Sequence, residues 1–231
     1  MLKLLKKLMI PVFALIFTVI ILLFSASYTV RFTETAVKTT FGSANEDSII
    51  DEPGLKPKWP YPIQSVTKYD KRMRIVQTRS ETVQTADDFQ IIVEGYLSYR
   101  VTDPLKFFRA FSNAGDRAQD HFAKAENDVL RDLLRSALGE TSKYEMEDLF
   151  TSQSGASVIP QLEESVYELL VKGGSGGQPL ADYGIDISSV GIDRIVLPEE
   201  TTSAVINRMG ANRDRLAERY ESEGRSQARF Q

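Results

Sequence analysis

Val93-Glu94-Gly95-Tyr96-Leu97-Ser98-Tyr99-Arg100-Val101-Thr102-Asp103-Pro104 contains the change of period on which the fold reading rests. Along 91–101, Ile91, Val93, Leu97, Tyr99 and Val101 fall on one face and Glu94, Ser98 and Arg100 on the other, the two-residue period of a half-buried strand. At Asp103-Pro104 the period changes. Aspartate is suited to cap a helix and proline to its first position, where a missing N–H leaves nothing unpaired, and Leu105, Phe108 and Phe111 then recur at helical spacing before Gly115. The expected class is α+β, with a β-rich part first and a mixed α/β part after it.

Upstream of this strand, Thr85-Ala86-Asp87-Asp88 reads as a hairpin turn leading back to a strand over 78–84. Residues 28–41, rich in β-branched and aromatic side chains and followed by Gly42, read as a strand that closes in a turn. The polar stretch 44–51 reads as a loop. Glu52-Pro53-Gly54 is a turn signal, and Pro57, Pro60 and Pro62 keep the chain around Trp59 and Tyr61 extended and out of any central strand. Two readings of this aromatic stretch stand side by side: a turn packed on the first sheet, or a loop at a bilayer interface, where Trp and Tyr are favoured.

Downstream, a helix is expected over 116–139, with Ala118, Phe122, Ala125, Val129, Leu133 and Ala137 on its apolar face and Lys124, Asp128, Arg131 and Arg135 toward solvent. A further helix begins near Pro160, carries Leu162, Val166, Leu169 and Leu170, and stops at Gly173-Gly174. Residues 185–196 return to β character, with a bulge expected at Ser188-Ser189. Leu197-Pro198-Glu199-Glu200 opens the last helix, 199–231, whose stripe of Val205, Met209, Leu216 and Tyr220 is too thin for a globular core. It reads as one strand of a helical assembly, and no capping signal closes it before Gln231.

At the other end, residues 8–30 carry no charge, a run of roughly 23 positions that at helical rise crosses a bilayer core. Phe13, Leu15, Ile16, Phe17, Val19, Ile20, Ile21, Leu22, Leu23 and Phe24 make it apolar on every side, so a transmembrane anchor is expected. Lys3, Lys6 and Lys7 place residues 1–7 in the cytoplasm and the remainder on the far side. A cleaved signal peptide is the alternative, with Ser25, Ala26 and Ser27 as its small residues.

Composition narrows the function. With 42% hydrophobic and 26% charged residues the chain can form a core, which excludes wholesale disorder. A net charge of −4 argues against a nucleic-acid partner, and the absence of cysteine removes disulfides, thiolate metal sites and a cysteine nucleophile. His121 is the only histidine and is expected to be a partly exposed structural residue, having no second histidine or cysteine with which to share a metal. Gly173-Gly174-Ser175-Gly176-Gly177 matches the G-x-S-x-G pattern in letters alone, because a helix precedes it and Gln178-Pro179 follows, where the elbow requires strand then helix. Asp87-Asp88 and Glu163-Glu164 read as a turn and a solvated helix face rather than as a pair of catalytic carboxylates. The residues point to no enzyme: no catalytic residue, no cofactor-binding residue, no metal ligand and no cofactor are expected.

The order of features resembles the SPFH (band 7/prohibitin) superfamily, and within it the bacterial HflC-type protease modulators. The resemblance is carried by Thr35-Ala36-Val37-Lys38-Thr39-Thr40-Phe41-Gly42, by Glu52-Pro53-Gly54-Leu55-Lys56-Pro57-Lys58-Trp59-Pro60, and by the strand-to-cap stretch that ends at Pro104. It continues in Gly191-Ile192-Asp193-Arg194-Ile195-Val196-Leu197-Pro198-Glu199 and Ile206-Asn207-Arg208-Met209. The resemblance implies an anchor over 8–30, a β-rich first SPFH subdomain over 31–102, an α/β second SPFH subdomain over 103–198, and a coiled-coil arm beginning at 199–231. It further implies a large membrane cage shared with an HflK-like paralogue, contact with membrane lipid, and control of an FtsH-like membrane AAA+ protease from the extracytoplasmic side of the bacterial inner membrane. A stomatin- or flotillin-like organiser of membrane patches is the alternative within the family, and a tethered serine hydrolase using Ser175 and His121 the alternative outside it.

Overall fold

The computed structural model describes residues 13, 15–18, 20–21, 24–150, 157–172 and 178–229. Strands are β1 (Ser27–Val30), β2 (Glu34–Thr40), β3 (Ile49–Ile50), β4 (Gly54–Pro57), β5 (Gln64–Asp70), β6 (Arg74–Gln77), β7 (Glu81–Gln84), β8 (Gln90–Val101) and β9 (Ile185–Val196). Helices are α1 (Pro104–Phe111), α2 (Ala118–Lys124), α3 (Arg131–Leu138), α4 (Met146–Phe150), α5 (Ile159–Val171) and α6 (Glu199–Arg229). The expected mixture of a β-rich part and an α/β part is present. Residues 8–12, 14, 19, 22 and 23 of the expected anchor, together with the Gly173 to Gly177 segment, lie outside the described residues, and among the described residues no helix is long and apolar enough to cross a membrane. The last four residues of the expected anchor form β1 instead, because Tyr28 and Val30 bury their side chains in a small core with Ala36.

The chain divides into two compact units. The first comprises Met1–Ile75, Ser98–Leu130 and Val171–Ser188. In it β1 pairs antiparallel with β4, and β2 is flanked by β3 and β5. The stretch expected as one strand over 28–41 is two, separated at Arg31-Phe32-Thr33, and the stretch expected as a loop supplies β3. Asp103 caps α1 as expected, its Oδ1 accepting from the N–H groups of Leu105 and Lys106 at 3.0 Å. Leu105 and Phe111 of α1 are buried as expected, and Phe107 rather than Phe108 is buried with them. Its ring lies 5.3 Å from Tyr69, 4.9 Å from Phe111 and 5.2 Å from Phe122, contacts that add about 0.5–1.5 kcal/mol each beyond the burial itself.

The second unit comprises Val76–Leu97, Arg131–Leu170 and Ser189–Gln231. In its sheet β8 lies between β6 and β7 in the strand order and also pairs with β9. The expected hairpin is present, with Glu81 opposite Val93 and Gln84 opposite Gln90. Gly95 and Gly191 let neighbours approach: a Cβ on Gly191 would meet the Tyr96 ring at 2.6 Å. Leu162, Val166 and Leu170 of α5 are buried, and the N–H of Ile192 donates to Glu163 at 3.0 Å. In β9 the alternation of burial breaks at Ser188 and Ser189, both exposed.

The helix expected over 116–139 is helical from Ala118 but contains a π-helical turn, Ala125–Leu130. One added residue per turn rotates everything after it by one position. Beyond Ala125, Leu130, Leu134 and Leu138 are therefore buried in place of the expected Val129 and Leu133, while Ala137 is buried as expected.

The carbonyl of Gly184 accepts from the N–H groups of Thr102 at 2.9 Å and Asp103 at 3.2 Å, joining the end of β8 to the start of β9. Gly184 has φ 72°, and a Cβ there would stand 2.2 Å from the Asp103 carbonyl oxygen. Gly184→Ala is expected to cost about 2–4 kcal/mol in urea unfolding, combining left-handed strain with a backbone clash, whereas Gly42→Ala, left-handed but in open space, should cost about 1 kcal/mol.

Candidate membrane-facing surface

The first unit carries a set of aromatic side chains that its core does not take. β1 begins just after the described helical residues Phe24 and Ser25, and the N–H of Lys58 donates to the Ala26 carbonyl at 2.8 Å, extending the β1–β4 ladder by one bond. The Trp59-Pro60-Tyr61-Pro62 turn is thus tied to the root of the N-terminal helical stretch. The Trp59 N–H is held by Gln64 Oε1 at 2.9 Å, and the Phe41 N–H by the Ile63 carbonyl at 2.9 Å. Trp59 is 65% exposed, Tyr61 80% and Phe41 79%. The expectation that this turn packs on the first sheet is therefore corrected: three prolines fix the backbone course, and the aromatic rings point away from the core. Three aromatics left this bare forgo on the order of 10 kcal/mol of burial free energy, which a monomer in water has no reason to give up.

In the second unit α6 runs for 31 residues, about 46 Å at about 1.5 Å per residue. Ile206 and Tyr220 are exposed and Leu216 is half-buried. The ion pair between Arg225 and Glu221 at 3.1 Å adds only about 0.3–0.5 kcal/mol to this helix.

The sequence reading placed His121 partly in solvent, and the structure corrects this: it is fully buried. Nε2 donates to the Gly115 carbonyl at 2.7 Å, which leaves Nδ1 to accept from the Tyr69 hydroxyl. Both ring nitrogens are used inside the core, and burial pushes the Tyr69 phenol above its ordinary range. Such a histidine has no free nitrogen to take a proton from a nucleophile. Ser175 lies outside the described residues. Among the described residues no group of three His, Asp or Glu side chains could hold a metal ion.

One polar cluster in the first unit was not legible in the sequence. Glu126, on the π-helical turn, accepts at Oε1 from Arg74 Nε at 2.8 Å and from the Tyr99 hydroxyl at 2.7 Å, and the Arg74 guanidinium lies 4.3 Å from the Phe122 ring centre. Burial, and then the hydrogen bond to Glu126, raise the Tyr99 phenol above its ordinary range. Burial opposes the Arg74 charge, but the hydrogen bonds and charge interactions with Glu126 and Tyr99 together outweigh it and its pKa is raised. A permanent cation and a phenol held protonated give a clamp, not an acid–base pair working near neutrality.

The sequence model of the SPFH domain / Band 7 family matches residues 28–226. Protein HflC of Haemophilus influenzae is 26% identical, with 97% of this chain and 72% of that protein covered. Modulator of FtsH protease HflC of Escherichia coli K12 is 26% identical, covering 94% of this chain and 72% of that protein. Protein HflC of Vibrio cholerae is 24% identical over 96% of this chain.

If Glu126 is a clamp, its loss should be felt in stability. Glu126→Gln is expected to lower unfolding free energy by about 1–2 kcal/mol, a buried charged hydrogen bond discounted for the partial exposure of both partners, and Tyr99→Phe by about 1 kcal/mol. Denaturant titration of the purified chain measures both.

Proposed function

Because the chain belongs to the SPFH domain / Band 7 family, we propose that it is a non-enzymatic, membrane-anchored scaffold that assembles with an HflK-like partner into a large oligomeric cage and modulates an FtsH-type membrane protease. The observation that carries this reading is the alignment, over 94% of this chain and 72% of the relative, with a protein named as a modulator of that protease. In this reading residues 8–30 supply the anchor, 31–102 and 103–198 the two SPFH subdomains, and 199–231 the start of a coiled-coil arm.

Physical features support the parts. Phe13, Leu15, Ile16, Phe17, Ile20, Ile21 and Phe24 are helical and exposed, as a lipid-facing segment requires. Exposed Trp59 and Tyr61 follow directly on Lys58, whose N–H is bonded to Ala26 at the foot of that segment, and amphipathic rings of this kind are favoured at a bilayer interface. The three N-terminal lysines keep residues 1–7 in the cytoplasm and send the SPFH part to the periplasmic side of a bacterial inner membrane. Regulation then comes from enclosure: a ring of singly anchored subunits gains avidity for the membrane and limits which membrane proteins reach the protease.

The test is degradation of a membrane-protein substrate by the FtsH-type protease of the same cell, in membranes with and without this chain. A changed rate on deletion, restored by the chain and not by a version lacking residues 199–231, is the expected result. An unchanged rate, with altered clustering of membrane proteins, would replace the modulator reading with a stomatin- or flotillin-like organiser.

A further inference from the structure

A groove at the root of the N-terminal helical stretch combines two kinds of surface. Its cavity of about 580 Å³ is lined by Ala26, Pro57, Trp59 and Pro60 together with Gln64, Lys38 of β2 and Lys58 just beyond β4. Both lysines are half-buried. Among the described residues neither is in an ion pair, whereas Lys56 and Lys71 of the same unit are matched to Glu52 at 2.6 Å and Asp51 at 3.2 Å. Two half-buried lysines in no ion pair among the described residues, beside apolar lining, select an amphiphile with a negative head.

We propose that this groove binds an anionic phospholipid, its phosphate between the Lys38 and Lys58 ammonium groups and an acyl chain along Trp59, Pro57 and Pro60. The proposal rests on the membrane-facing reading of the aromatic surface, and Ala26 sets the level of the headgroup just beyond the exposed Phe24. Charge complementarity decides the lipid class. A zwitterionic head brings its own cation next to its phosphate and leaves the pair of lysines unneutralised, whereas phosphatidylglycerol or cardiolipin brings net negative charge.

Trp59 is the only tryptophan in the chain, so its fluorescence reports on the groove alone. The full chain is reconstituted into mixed vesicles in which either phosphatidylglycerol or phosphatidylcholine, at equal mole fraction, carries brominated acyl chains that quench tryptophan on contact. The expected result is an enrichment of phosphatidylglycerol over phosphatidylcholine against Trp59 of about fivefold for each of the two lysines, about thirtyfold together. Lys38→Gln combined with Lys58→Gln should abolish the preference, while Lys68→Gln, exposed on β5 and away from the groove, should leave it intact. Equal quenching by the two lipids, or a preference that survives the double substitution, overturns the groove assignment. No quenching by either lipid overturns the membrane-facing reading beneath it, and so the two failures are told apart.

Discussion

A single carbonyl, that of Gly184, fixes the layout of the first unit. It takes the two N–H groups at the end of β8, and only a residue without Cβ can hold the left-handed turn that brings it within reach of Asp103. With the strand end fixed, the Asp103 side chain is free to cap α1, and α1 can deliver Phe107 to Tyr69. Tyr69 in turn belongs to β5, which is paired along its length with β2 from Glu34 opposite Asp70 to Thr40 opposite Gln64. Phe41 and Lys38 inherit their positions from that ladder. A contact between residues more than 80 positions apart thus governs how the aromatic surface is presented.

That surface inverts the usual economy of a small domain. The interior is closely satisfied: His121 uses both nitrogens, Glu126 serves Arg74 and Tyr99 together, and Tyr69 is both an aromatic core residue and a hydrogen-bond donor. The exterior leaves Trp59, Tyr61 and Phe41 bare. Groups that could do acid–base work are spent on holding the fold, and groups that gain free energy only from a lipid or protein neighbour are left outside.

The sequence disclosed the features that depend on neighbours along the chain and hid those that depend on distant contacts. The Asp103-Pro104 cap, the β7–β8 hairpin and the helix at 159–171 were all legible, because capping chemistry and periodicity are local. The faces of α2 and α3 were misread past Ala125, since the π-helical turn is stabilised by the Glu126 contacts and leaves no mark in the spacing of apolar residues. β3 is two residues long and β5 alternates Thr67 with Lys68, patterns too short or too polar to read as strands without their partner β2. The burial of His121 follows from Tyr69, 52 positions away, and nothing in the sequence pairs them. The exposure of Trp59 and Tyr61 was one of two open readings, and the choice between them required the backbone ladder to Ala26.

The most direct measurement of the central claim is the mass of the native complex, extracted in mild detergent and weighed particle by particle, with its chains identified. A very large assembly containing this chain and a paralogous SPFH subunit is the result the account predicts. A monodisperse monomer would contradict it, leaving the bare aromatic surface and the long terminal helix without the partners invoked to cover them.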